Sequence, residues 1–249
     1  MKIQLIRHAT LWVEYGGLTW LIDPMLAESG AYPPFPDTPN DRRNPLVPLP
    51  EPAASWLAPD VIVVSHLHAD HWDAAAQELL PKTTPILCQP GDEEAVRSAG
   101  FNSVAAVRDS LEYRGVSLTR TGGRHGTGEI GERMGRVSGF LFRAAGEPDL
   151  YIAGDTIWCE EVREALDLHR PEIAVVNAGG ARFMTGDPIT MDTGDIASLC
   201  RHAPDTRFIA VHMDAVNHCL TTRENLRQYL AAEGLTGRVL VPGDGEWIS

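Results

Sequence analysis

Short β-rich runs at the start of the chain predict three strands. They are KIQLI (2–6), TLWVEY (10–15) and LTWLI (18–22), and a Gly-Gly turn separates the second from the third. This pattern is typical of a β-meander within the first 25 residues. The third run leads directly into Asp23-Pro24, so a carboxylate follows a predicted strand.

Later in the chain, apolar runs of strand length alternate with segments of helical character. The predicted strands are VIVVS (61–65), TPILC (84–88), SVAAV (103–107), GVSLTRT (115–121), VSGFLFRA (137–144), DLYIAGDT (149–156), EIAVVNAGG (172–180), TRFIAVHMD (206–214) and an edge strand RVLV (238–241). The predicted helices are WDAAAQELL (72–80), DEEAVRSAG (92–100), EEVREALDLH (160–169), TGDIASLCRHA (193–203) and RENLRQYLAAEG (223–234). Residues 122–136 are predicted to form a loop. Strands and helices mixed in two halves indicate an α/β fold with sheets inside and helices outside.

Residues 31–52 are rich in proline and show no periodicity. Because proline fixes φ and removes a backbone donor, we predict an ordered, non-repetitive loop or flap. A linker between two domains is the alternative, but the 30 residues before it are too few to form a domain. We therefore predict a single domain over residues 1–249.

Composition and charge narrow the class of protein. Hydrophobic residues make up 43% of the 249 and charged residues 22%, as in soluble globular proteins. The formal net charge of −13 disfavours a protein that holds nucleic acid by general electrostatics. No run approaches the roughly 18 apolar residues of a membrane span, and the N-terminus lacks the apolar region of a signal peptide. We expect a cytoplasmic protein that takes a small-molecule substrate, and we leave homo-oligomerisation open.

The four cysteines are far apart and form no CxxC pair; they are Cys88, Cys159, Cys200 and Cys219. This spacing predicts reduced thiols rather than a disulfide framework or a Cys-rich zinc site. We interpret all four as small buried hydrophobic residues.

Histidines and aspartates recur at the carboxyl ends of predicted strands. The stretch SHLHADHWD (65–73) follows one strand and supplies His66, His68, Asp70 and His71. Later strand ends supply His125, Asp155 and His212. Strand ends are where α/β folds gather ligands and catalytic groups. Buried imidazole and carboxylate groups cost stability unless something satisfies them, and a bound metal ion does so.

The spacing of these residues predicts an open, catalytic metal centre. The imidazoles of His66 and His68 can point the same way in an extended backbone, while Asp70 and His71 turn toward a second point as a helix begins. One loop can thus serve two neighbouring cations. Imidazole and carboxylate ligands suit zinc, manganese or iron, and the lack of nearby thiolates argues against a closed structural zinc site. We predict two divalent ions, with zinc preferred, that share a hydroxide.

The stretch HLHADH (66–71) matches the HxHxDH motif, and the whole chain resembles the metallo-β-lactamase fold superfamily. The four other motif positions occur in the family's order along the chain: Asp23 before this stretch, and His125, Asp155 and His212 after it. The resemblance implies a four-layer αββα sandwich with the site at one edge between the two sheets.

The resemblance also implies a role for each motif residue. One metal would be held by His66, His68 and His125. The other would be held by Asp70, His71 and His212. Asp155 would bridge the two metals, with Asp70 and Asp155 as catalytic carboxylates, and Asp23 would hold the ligand loop in place.

Within the superfamily the chain is similar to metal-dependent hydrolases such as the L-ascorbate-6-phosphate lactonases. The similar stretches are RHATLWVEYGGLTWLIDP (7–24) and GDPITMDTGDIA (186–197). The chain departs from relatives in having Thr190 where they place a histidine before Met191, and segment 31–52 has no counterpart that we can align.

Other candidates each have a structural alternative. His8 could reach the metal loop and His218 could line the pocket, but ordinary hydrogen bonding explains either equally well. Trp72 and Trp158 could form an apolar pocket wall or pack in the core. Arg124 is expected to pair with a surface carboxylate rather than with substrate.

These observations predict a metal-dependent hydrolase in which a metal-bound hydroxide opens a small ester-like substrate, with a lactone as the preferred substrate. The alternative is a phosphodiesterase or nuclease acting on nucleotides or RNA, which the acidic charge disfavours. A metal-dependent sensor on a hydrolase scaffold is a third, non-enzymatic interpretation, although every ligand position is filled.

Overall fold

The computed structural model describes residues 1–248, and their strands form two seven-stranded sheets. The first sheet has the order β14 (Trp247–Ile248), β1 (Lys2–Arg7), β2 (Thr10–Tyr15), β3 (Leu18–Ile22), β4 (Val61–Val64), β5 (Ile86–Cys88) and β6 (Val104–Ala106). β1, β2 and β3 pair antiparallel, which confirms the predicted meander. β3 to β6 pair in parallel, and every side chain of β4 is buried because both faces of this strand are covered.

The second sheet combines an antiparallel half with a parallel half. Its order is β13 (Val239–Leu240), β12 (Arg207–Val211), β11 (Ile173–Asn177), β10 (Leu150–Ile152), β9 (Gly139–Arg143), β8 (Val116–Thr121) and β7 (Ser110–Tyr113). β7 to β10 are antiparallel neighbours, whereas β10 to β13 are parallel. The parallel strands therefore present their carboxyl ends at one edge of the sheet.

Three of the six α-helices that the structure describes begin after a side chain that accepts from a free backbone N–H group. The six are α1 (Ala74–Leu79), α2 (Glu93–Ser98), α3 (Gly128–Met134), α4 (Glu160–His169), α5 (Thr193–His202) and α6 (Arg223–Ala232). The Asp73 carboxylate accepts from Ala76 N before α1, and the Thr222 hydroxyl accepts from Asn225 N before α6. Within residues 1–248, no helix has the length and apolar character needed to cross a membrane.

Three layers of apolar side chains lie between the four layers of secondary structure: helices, first sheet, second sheet and helices. Between the sheets, residues such as Val13 of β2 and Phe142 of β9 share one core. Ala76 of α1 packs on the outer face of the first sheet, and Val162 of α4 packs on that of the second. The four-layer αββα sandwich predicted from the sequence is therefore confirmed.

Three elements differ from the sequence prediction. Residues 122–136 are predicted to be a loop but contain α3, whose two glycines among one isoleucine, one methionine and three charged residues give no clear helical pattern. β7 and β14 were not predicted, because SLEY carries mixed polar side chains and a two-residue strand has no period to detect.

Segment 31–52 contains no helix or named strand among its described residues, and a bridge between Tyr32 and Asn44 closes part of it into a loop. The buried side chain of Asn217 holds this loop. Its Oδ1 accepts from Phe35 N at 3.0 Å, and its Nδ2 donates to Thr38 Oγ1 at 2.6 Å. The loop is thereby fixed against the region that follows β12.

Candidate metal centre

The site lies where the carboxyl ends of strands from both sheets meet. The first sheet supplies His8 after β1, Asp23 after β3 and the loop 65–73 after β4. The second sheet supplies His125 after β8, Asp155 after β10 and His212 after β12. All the motif residues that the sequence singled out are thus brought to one edge of the sandwich, as predicted.

One group of donors consists of His66, His68 and His125. His68 Nδ1 lies 3.0 Å from His66 Nε2 and 3.3 Å from His125 Nε2. His125 Nδ1 lies 2.8 Å from the Ile189 carbonyl oxygen, which can only accept, so Nδ1 carries the ring proton. Burial lowers the pKa of His125, so its ring is neutral and its Nε2 lone pair points at the other two imidazoles. Such convergent lone pairs fit a cation.

A second group of donors consists of His8, Asp70, His71 and His212. The Nε2 atoms of His71 and His212 are 3.2 Å apart, and His8 Nε2 lies 3.0 Å from Asp70 Oδ2. The sequence predicted that His8 could reach the metal loop, and the structure places it there. Its assignment as a ligand or a supporting residue stays a prediction.

The Asp155 carboxylate lies between the two groups. Its Oδ2 is 3.5 Å from His125 Nε2 and 3.2 Å from His71 Nε2, while its Oδ1 is 3.2 Å from His212 Nε2. Asn177 Nδ2 donates to Oδ1 at 2.6 Å and fixes the carboxylate plane. Asp155 can therefore contact cations in both groups, as a bridging ligand must.

The outer nitrogens of His71 and His212 are also held. Asp23 Oδ2 accepts from His71 Nδ1 at 2.9 Å, and the Asp23 carboxylate also accepts from both N and Oγ of Ser65 at 2.7 Å. His212 Nδ1 lies 3.4 Å from Cys219 Sγ. Outer partners of this kind fix the tautomer and ring orientation of metal-binding histidines. The placement of Asp23 matches its predicted supporting role.

The electrostatics of the cluster also suit bound cations. Burial opposes the charge on Asp155, but His212 and His71 outweigh it and hold the pKa of this carboxyl well below its ordinary value. Burial would lower the pKa of His71, but Asp155, Asp23 and Asp70 raise it to about 10. Buried carboxylates that are kept ionised require compensating positive charge. Protonated His71 and His212 supply that charge in the absence of metal, and bound metal ions would replace those protons.

Three site residues have left-handed backbone conformations. The φ angles are 60° at His8, 44° at Asp23 and 68° at His212. His212 N donates to the His8 carbonyl oxygen at 2.9 Å, which joins the two strand ends. Non-glycine residues with such φ values are strained and cluster at functional sites.

A chamber of about 150 Å³ opens beside the cluster. Its polar end is formed by metal-centre residues, and its other walls are largely apolar. The lining residues are Phe35, His68, Ala69, Asp70, His125, Met134, Asp155, Phe183, Ile189 and His218. Sequence reasoning suggested His218 but missed the apolar residues, which lie on loops and α3 without any periodic signal.

The tryptophan and arginine candidates do not line the chamber. Trp72 packs against Phe101 with ring centroids 5.4 Å apart, and Trp158 lies 5.3 Å from the ring of His202. Arg124 Nε donates to Glu161 Oε1 at 2.9 Å, as expected of a pairing with a surface carboxylate. The four cysteines are all free and buried, which confirms that prediction.

Comparison with known proteins assigns this site to a family. Residues 21–213 match the beta-lactamase superfamily domain. The UPF0173 protein YddR of Bacillus subtilis (strain 168) is 40% identical over 99% of this chain and 98% of its own. The fold and site thus define a metal-dependent hydrolase of the metallo-β-lactamase fold. Within that class, the chain belongs to the UPF0173 metal-dependent hydrolases.

Two solved structures are similar over nearly their entire length. One is the isothiocyanate hydrolase from Delia radicum gut bacteria, with 37% identity, a TM-score of 0.96, and 100% of this chain and 99% of that chain covered. The other is a possible metal-dependent hydrolase from Veillonella parvula DSM 2008, with 37% identity, a TM-score of 0.96, and 100% and 98% covered. The similarity to lactonases noted in the sequence stays a prediction.

Proposed function

We propose that this hydrolase converts isothiocyanates, R–N=C=S, to the amine and carbonyl sulfide. The observation that carries the proposal is the small, largely apolar chamber that ends at the His and Asp cluster. An isothiocyanate has one electrophilic carbon between nitrogen and sulfur, and its substituent is commonly apolar. The cluster would meet the carbon while the chamber receives the substituent. The similarity to an isothiocyanate hydrolase supports this substrate class.

The donor set would hold two divalent cations. We assign His66, His68 and His125 to the first, with zinc preferred and manganese or iron as alternatives. Asp70, His71 and His212 are assigned to the second. Asp155 would contact both. Bound cations in such a site supply water that ionises near neutral pH and a positive charge that polarises the substrate.

The residues of the chain would direct the addition of water. Asp155 Oδ2 faces the centre of the cluster, because Asn177 holds its Oδ1, and it is placed to accept a hydrogen bond from the attacking water. The water oxygen bonds to the central carbon, the C=N electron pair moves to nitrogen, and a water proton follows it. In the resulting thiocarbamic acid the remaining O–H proton passes to nitrogen as the C–N bond breaks, which gives the amine and carbonyl sulfide.

A small uncharged lactone is the second candidate substrate, because it would also fit the chamber. Among the described residues that line the chamber, there is no Lys or Arg to pair with a phosphate. This argues against a phosphorylated sugar lactone and against the phosphodiesterase alternative. Arginine is found instead at two separate openings. One of about 300 Å³ reaches His66 and His68 beside Arg136, and one of about 590 Å³ reaches His125 beside Arg120, Arg124 and Arg136, so an anionic substrate would approach by one of these.

The test is a substrate panel with enzyme loaded in parallel with zinc or manganese. It would compare benzyl isothiocyanate, uncharged lactones and bis(p-nitrophenyl) phosphate. His66→Ala removes a cluster imidazole, and His202→Ala, which removes an imidazole paired with Asp167 on the surface, is the matched control. The proposal would be supported if wild type and His202→Ala consume the isothiocyanate and His66→Ala does not. Turnover restricted to lactones or to the phosphodiester would contradict it and name the alternative.

A further inference from the structure

His218 is a polar residue on the otherwise apolar side of the chamber. Its ring is 4.6 Å from that of Phe35, edge to face, and 6.3 Å from that of Phe183. The backbone at His218 is held by two hydrogen bonds. Arg182 N donates to the His218 carbonyl oxygen at 3.0 Å, and Phe35 N donates to Oδ1 of the neighbouring Asn217. The imidazole is thus held in place against the space assigned to the substrate.

The hydrogen-bonding capacity of this ring is unused. His218 Nδ1 is buried without a hydrogen-bond partner among the described residues. His8 Nδ1 at the metal centre is also unpartnered, whereas the outer nitrogens of His71, His125 and His212 have partners. Keeping an imidazole with one buried, unsatisfied nitrogen costs about 1–3 kcal/mol, so its place on the chamber wall points to a function for the ring.

Burial lowers the pKa of His218 to about 4, so the ring is neutral near pH 7. A neutral imidazole carries one N–H. Because Nδ1 has no acceptor within reach and a buried unpaired N–H is especially unfavourable, the proton belongs on Nε2.

We propose that His218 is a catalytic residue whose Nε2–H donates a hydrogen bond to the substrate nitrogen as negative charge develops there. This inference rests on the proposed isothiocyanate hydrolysis and names the group that stabilises its transition state. Water adds across C=N as described above, with its proton going to nitrogen. His218 keeps its own proton throughout, so no further reactant is required.

Two variants separate hydrogen bonding from packing. His218→Phe fills the site without a donor, whereas His218→Gln retains an N–H. Removing one such donor typically lowers kcat by about 10²-fold or more. We expect that loss in His218→Phe with little change in KM, and we expect His218→Gln to stay within about tenfold of wild type. Metal content and melting temperature should match wild type in both.

A series of para-substituted phenyl isothiocyanates adds a readout that packing would not change. Without the donor, the rate should depend more steeply on electron-withdrawing substituents, which stabilise the charge on nitrogen. Equal losses in both variants with an unchanged dependence, or a fall in metal content, would overturn the role of His218. So would wild-type kcat in His218→Phe. A wild-type enzyme without isothiocyanate turnover would instead overturn the proposed function.

Discussion

Replacing Asp23 by Asn should weaken metal binding while preserving the fold. The amide oxygen can still accept from Ser65 N, but the amide NH₂ then faces His71 Nδ1, where the carboxylate accepted at 2.9 Å. His71 relieves this contact by moving its proton to Nε2, the atom that lies 3.2 Å from Asp155 Oδ2. A protonated Nε2 cannot bind a cation.

The size of the effect follows from the role of such outer partners. Their loss commonly lowers metal affinity by about 10–100-fold, which corresponds to roughly 1.4–2.7 kcal/mol. We therefore expect a shift of this size in titrations of zinc or manganese against a competing chelator. Activity should recover at excess metal, because every ligand remains in place.

Asp60→Asn is the matched control. The Asp60 carboxylate likewise accepts from a backbone N–H and a hydroxyl, those of Thr19, each at 2.9 Å, but it lies at the opposite end of β3 and β4. The Asp60→Asn substitution should therefore leave metal affinity unchanged. Wild-type affinity in Asp23→Asn, or an equal loss in both variants, would refute the role assigned to Asp23.

Three further predictions concern metal removal, the loop and the thiols. In protein stripped of metal, the pKa of His71 is raised from 6.5 to about 10, so its contribution to folding stability is full below pH 6.5 and disappears as pH rises through 10. Metal binding displaces the His71 proton. Metal affinity measured by chelator competition should therefore rise between pH 6.5 and 10, and a flat profile would contradict this. Asn217→Ala should lower the free energy of unfolding by about 3 kcal/mol or more and the melting temperature by roughly 6–12 °C. It should also raise KM by releasing Phe35, and an unchanged KM would contradict this role of the loop. Because all four cysteines are buried, the native enzyme should resist modification by its electrophilic substrate, and mass spectrometry that finds thiol adducts before unfolding would count against the proposed substrate.

The metal centre was predictable because its residues follow strands with strong apolar patterns. Six strand ends converge on it, and the apolar run VIVV (61–64) marks the end of the strand that precedes His66. The order of polar residues along the chain therefore translated directly into positions at one edge of the two sheets.

The chamber was not predictable in the same way. Phe35, Phe183 and Met134 lie on two loops and on a glycine-rich helix, where neither a period of 2 nor one of 3.6 marks a buried face. Their convergence depends on long-range contacts such as Met184 N donating to the Asp37 carbonyl oxygen at 2.7 Å. Contacts of this type leave no local pattern in the sequence.

The His and Asp cluster is proposed to hold two cations that act together in hydrolysis. The most direct measurement is the metal-to-protein ratio, by mass spectrometry of the element, alongside isothiocyanate turnover. We predict two ions per wild-type chain, with one lost in His68→Ala and one in His212→Ala, since these residues belong to separate donor groups. Both variants should lose turnover. Full turnover by wild-type protein that holds no divalent metal would contradict this role of the cluster.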